Sequence, residues 1–142
     1  MTHENRGNFK SKHPDATADP EIAEALRNAA EKGALSCAAA TRLADFLRKD
    51  MKIIGMHMDL MEIQLTRCQL GLFGYPQGRI VQAAYAVTPD LERAIRSSIR
   101  DGRLPCLTSW EIARRFDMPK MEVAAACEAL KIKIKPCQLG AF

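Results

Sequence analysis

The chain has 142 residues, 47% of them hydrophobic and 27% charged, which is ordinary globular material with room for one domain or two very small ones. Aromatic residues reach only 6%, so a core must be assembled from Leu, Ile, Val, Ala and Met, which suits helices. A net charge of +4 is mild: it permits an anionic partner without requiring one.

Residues 1–18 are polar, contain His3, His13 and Pro14, and lack the apolar run of a secretory signal, so they read as a disordered arm. No window approaches the ~18 consecutive apolar residues of a membrane span. The expectation is a cytoplasmic protein without a membrane partner, whose five cysteines are reduced thiols.

From Asp19 onward the sequence repeats itself. Slid by 69 positions with no gap, Pro20 meets Pro89, Arg27 meets Arg96, Gly33 meets Gly102, Cys37 meets Cys106 and Ala44 meets Ala113. The register closes on Cys68-Gln69-Leu70-Gly71-x-Phe73 against Cys137-Gln138-Leu139-Gly140-x-Phe142. Two copies, residues 19–73 and 88–142, are therefore joined by a linker, 74–87. Their charges differ: the first has seven basic and eight acidic residues, the second ten and seven.

In the first copy Ile22, Ala25, Leu26 and Ala29 lie at helical spacing. Met51, Met56, Met58 and Met61 read as core filler on a later helix. Gly74-Tyr75-Pro76-Gln77-Gly78 is turn chemistry, and the β-branched residues of 79–87 predict a strand. That strand would pair with Glu62 to Arg67 as a wing hairpin or cross to the second copy, whereas a helix here would be simply a connector.

The second copy is more explicit. Thr88-Pro89-Asp90 predicts an N-cap and a helix from Pro89 to about Arg100, stopped by Gly102. Thr108-Ser109-Trp110-Glu111 has the form of a capping box, predicting a second helix to about Phe116. After a tight turn at Asp117-Met118, Pro119 opens a third helix with Val123, Cys127 and Leu130 inward. Lys131-Ile132-Lys133-Ile134-Lys135 alternates as a strand with buried isoleucines and solvated lysines. In the closing block Gly71 and Gly140 are expected to take a positive φ, with Phe73 and Phe142 anchoring the return.

Three short helices and a strand, with Glu111-Ile112-Ala113-Arg114-Arg115-Phe116, the turn at Asp117-Met118 and the helix Pro119 to Leu130, resemble the helix-turn-helix and winged-helix class of DNA-binding domains. The resemblance implies a mainly α fold of two tandem three-helix units, each followed by a short strand. It implies that Ala44 and Ala113 lie where two helices cross, and that Asp50 to Met61 and Pro119 to Leu130 are recognition helices for the major groove of double-stranded DNA.

The residues expected on DNA are Lys52, His57, Arg114, Arg115, Lys120, Lys131, Lys133 and Lys135. They favour phosphate contact over base reading, because the third helix of the second copy continues as Ala124-Ala125-Ala126. Another use of the lysine row is to keep an edge strand from pairing with other chains. Cys37 and Cys68, like Cys106 and Cys137, are 31 residues apart and form the candidate thiol pairs for a soft metal or for oxidation. Packing is the competing use, and the absence of Cys-x-x-Cys or a recurring histidine weakens the metal reading. No phosphate loop, paired-carboxylate site or nucleophile-base arrangement is visible, so no enzyme and no cofactor is expected. The expected function is a small DNA-binding regulator of transcription acting as a pseudo-dimer, with self-association as a further expectation. The alternatives are a thiol-based metal or redox module and a protein-interaction adaptor.

Overall fold

The computed structural model describes residues 9–142, so His3 and the rest of 1–8 lie outside the described residues. Among the described residues the chain is mainly helical, with one small two-stranded sheet. It forms two compact units: residues 9–68 with Gln138–Phe142, and Gln69–Cys137. These limits differ from 19–73 and 88–142, because each Gln-Leu-Gly-x-Phe ending belongs to the unit built mainly from the other copy.

In unit 1, α1 (Pro20–Ala29) begins where the Asp19 carboxylate accepts the Glu21 N–H, with proline at its first position. The strand β1 (Ala34–Ser36) leads straight into α2 (Cys37–Leu47), whose first turn is capped by the Ser36 hydroxyl on the Ala39 N–H. Arg48 takes a left-handed conformation, φ 56°, and ends α2. α3 (Met51–Leu60) follows, and then β2 (Gln64–Thr66), which pairs with β1 in parallel, Leu35 opposite Leu65. Ile22, Leu26, Leu35, Ile54, Met58 and Leu65 fill the core between the helices and this short ladder.

Unit 2 repeats the order with α4 (Pro89–Ser97), α5 (Cys106–Arg115) and α6 (Lys120–Leu130). Its ladder shrinks to one parallel bridge, Leu104 to Ile134, held by Leu104 N–H to Lys133 O at 2.9 Å and Lys135 N–H to Leu104 O at 2.8 Å. The copies agree down to the backbone. Non-glycine residues with positive φ recur at Lys32 and Asp101, Arg48 and Asp117, Glu62 and Lys131. The turn between the paired helices is closed by Lys49 N–H to Ala44 O in one copy and Met118 N–H to Ala113 O in the other, both 3.0 Å. Ala44 and Ala113 are buried there.

Four expectations are corrected. Residues 79–87 form no strand and no wing hairpin, since Gln64–Thr66 is already paired with β1. Thr108 to Glu111 is not a capping box: α5 starts earlier, at Cys106 behind Pro105, and Ser109 lies inside it, donating to the Cys106 carbonyl at 2.7 Å. Lys131 to Lys135 alternates in burial as expected but is an extended segment with one bridge, not a regular strand. The stretch 9–18 has structure: Phe9–Lys12 is a 3-10 turn with Phe9 buried, packed on α3. Gly71 and Gly140 have φ of 75° and 81°, as expected. Phe73 is buried and Phe142 half-buried.

Candidate nucleic-acid interface

Side chains alternate sides along an extended chain, so burying Leu104 and Ile134 turns their neighbours outward. Arg103, Lys133 and Lys135 are accordingly exposed, as is Lys131 at the start of the same segment. The register that places Leu104 against Ile134 brings Arg103 beside Lys133 on the adjacent segment. Arg100 joins them through a two-residue turn, where Arg100 and Arg103 exchange backbone hydrogen bonds of 2.7 and 3.0 Å. Asp101, within that turn, is the one acid in the stretch. Among the described residues none of the five basic groups takes part in an ion pair.

The same backbone in unit 1 carries Glu31, Ala34, Glu62, Gln64 and Thr66 at these five positions. Glu62 is also occupied: its carboxylate accepts the N–H groups of Phe9 and Lys10 at 2.9 and 2.8 Å. A positive surface on the ladder is thus a property of unit 2. Arg100 and Arg103 escaped the sequence reading, because only the pairing of Leu104 with Ile134 sets them beside the lysine row.

The other expected residues separate into exposed and engaged groups. Arg114 and Arg115 are exposed in the last turn of α5, Arg115 stacked 5.4 Å from the centre of the Phe116 ring. Lys52 is exposed near the start of α3. Lys120 is half-buried over the Trp110 ring at 4.4 Å and donates to Gln69 Oε1 at 3.2 Å. His57 is only 2% exposed, so it is not a surface group. Its Nε2 accepts the Asp19 N–H and its Nδ1 donates to Ile53 O, each at 2.8 Å, which requires the neutral ring with hydrogen on Nδ1.

The flank of α6 is engaged as well. The Ala84 N–H bonds to Ala125 O at 2.9 Å, Arg79 pairs with Glu128, and a Cβ on Gly71 would come within 3.1 Å of the Met121 sulfur. Residues 71–84 therefore run along α6 at Met121, Ala125 and Glu128, and the acid Glu122 is exposed beside them.

Cys37, Cys68 and Cys106 are buried and Cys137 half-buried. The Cys106 N–H donates to Pro136 O at 3.1 Å, which places Cys106 beside the segment that carries Cys137. Cys127 is buried, and burial with Glu128 nearby pushes its thiol from an ordinary 9.0 up to about 12. Among the described residues no three His, Cys, Asp or Glu side chains are grouped to hold a metal ion. No helix among them is long and apolar enough to cross a membrane.

Unit 1 offers a different surface. A groove of about 680 Å³ is lined by Ala39, Arg42, Leu43, Thr66 and Arg67, with Phe46 on its rim at 83% exposure. In comparisons with known proteins, no family model, no curated protein and no solved structure matches this chain.

Proposed function

We propose that this chain is a small DNA-binding protein, used in regulating transcription, that holds double-stranded DNA by its phosphates through unit 2. The observation that carries the reading is the exposed row Arg100, Arg103, Lys131, Lys133 and Lys135, unpaired and absent from the matching ladder of unit 1. Arg114 and Arg115 extend the supply of charge. Phosphate contacts of this kind give affinity with little sequence information, and the sparse polar groups on α6 accord with weak discrimination between sequences.

Binding to mixed-sequence duplex, followed by fluorescence anisotropy over a salt series, tests the reading. Each phosphate neutralised contributes roughly −0.9 to the slope of log K against log salt. Replacing Arg103, Lys133 and Lys135 with Gln is expected to flatten the slope by about 3 × 0.9 and to weaken binding alike on all sequences. Absence of binding at low salt rejects the proposal. Phe46 on the rim of the unit 1 groove favours a second reading, a protein-docking adaptor. That use predicts that Phe46→Ser abolishes partner binding and leaves the salt slope on DNA unchanged.

A further inference from the structure

The two Gln-Leu-Gly-x-Phe blocks sit in docking sites, and the site in unit 1 is specially shaped. Gln138–Phe142 belongs to unit 1 although the residue before it, Cys137, belongs to unit 2. Leu139 is 4% exposed, and its backbone runs against α3 at Gly55. A Cβ on Gly55 would stand 2.0 Å from Leu139 O and 2.9 Å from its Cα, so nothing larger than glycine admits this path. Glycine is unfavourable inside a helix, and here the close approach of another backbone accounts for it. Met58, Ile63 and Leu65 complete the apolar wall, and Lys12 donates to Gly140 O at 2.9 Å.

The matching position in unit 2 is Ala124, fully buried, so the site there has no such notch. Gln69–Phe73, which unit 2 contains, is thus received by a differently shaped helix face. Both copies carry the block, while the helix of unit 1 has glycine at this position and that of unit 2 has alanine.

We propose that unit 1 carries a binding site for the extended Gln-Leu-Gly-Ala-Phe segment and that the site takes the same segment from a second copy of this chain. The occupant is identified by the structure itself, since the chain seated on Gly55 is Leu139 of that segment. A tail arriving from another chain makes the same contacts as the tail in place, so enthalpy does not separate closed monomer from tail-exchanged dimer. The choice rests on effective concentration, which for a short tether reaches the millimolar range and favours the closed form in dilute solution. Exchange becomes dominant when the tail of a chain is denied its own site. This inference is independent of the DNA reading.

The test mixes two full-length variants. Gly55→Leu blocks the site and leaves the tail intact; Leu139→Asp spoils the tail and leaves the site intact. Each alone is expected to be a monomer by light scattering. Their mixture is expected to give a one-to-one heterodimer, because one sound tail finds one sound site. A mixture that stays monomeric, with both variants folded by circular dichroism, overturns the proposal. Should Gly55→Leu fail to fold, the fluorescein-labelled peptide Lys-Pro-Cys-Gln-Leu-Gly-Ala-Phe is titrated into the Leu139→Asp chain. Saturable binding that an Asp-for-Leu peptide does not reproduce supports the site, and its absence overturns it. If neither variant folds, the wild-type chain is refolded from urea at rising concentration. A dimer fraction that grows with concentration supports exchange, and a monomer at every concentration refutes it.

Discussion

His57 shows how one side chain can be conscripted by the interior. It lies on α3 and spans from the Ile53 carbonyl to the Asp19 N–H, tying that helix to the start of α1. His57→Leu keeps the bulk and removes both bonds, leaving a part-buried N–H and C=O without their partner; a loss of about 1–3 kcal/mol is expected by urea unfolding. The second copy has Ala126 at this place and Thr88 in place of Asp19, so the bond is peculiar to unit 1. Cys127 makes a different kind of prediction. Its folded thiol holds its proton up to about 12 while the unfolded one loses it near 9.0, so the folded state binds more protons in between. Stability is therefore fully present below pH 9 and declines as pH rises toward 12. Urea midpoints measured across that interval are expected to fall, and Cys127→Ala is expected to remove this component of the decline. Trp110 is the residue that fits least well: among the described residues its buried indole N–H has no hydrogen-bond partner, while its ring face carries Lys120.

At the scale of elements, short extended pieces decide more than the helices do. β1 is three residues long, with no alternating run to betray it, and its partner β2 lies across two intervening helices. A periodicity search favours long elements, which is why α1, α3, α4 and α6 were legible and β1 was not. The start of α5 was misread for a related reason. Ser and Thr near a helix start usually cap it, but the chain leaves the ladder at Leu104 and turns immediately, so the helix begins at Cys106 and carries Thr108 and Ser109 inside. The 3-10 turn Phe9–Lys12 is tied to α3 by Phe9 burial, by Glu62, and by Lys12 and His13 on Asp59. Glu62→Ala is expected to speed hydrogen exchange of the Phe9 and Lys10 amides and to cost about 1 kcal/mol, since those bonds are partly solvated. Unchanged protection of both amides counts against this role.

On the scale of the whole molecule, the duplication produced two units with one backbone and two surfaces. The chain passes from one unit to the other after Cys68 and returns after Cys137, so unit 1 depends on a segment remote in sequence while unit 2 is one continuous stretch. Deleting 138–142 is therefore expected to raise hydrogen exchange in residues 51–65 of unit 1 more than in residues 120–134, although the deleted segment follows directly on unit 2. Equal or greater loosening of 120–134 contradicts that assignment. Charge is divided as sharply, with five exposed basic groups on one ladder and two acids, an alanine, a glutamine and a threonine on the other. Only unit 2 presents a row of basic groups there, so under the proposed phosphate contact the two units would not act as equal heads.

Sequence alone determined the repeat, its gapless register, the helices that carry caps and periodic apolar faces, the outward lysines at 131, 133 and 135, and the positive φ of Gly71 and Gly140. These follow from local rules of backbone geometry and side-chain spacing, which operate within a few residues. Tertiary structure decided what lies far apart along the chain. It paired Leu104 with Ile134 and so added Arg100 and Arg103 to the basic row, and it buried His57 against Asp19. It laid residues 71–84 beside α6, and it handed each Gln-Leu-Gly-x-Phe block to the other copy's unit. Such pairings depend on which apolar faces meet, and a local pattern read along one strand or helix does not contain its partner.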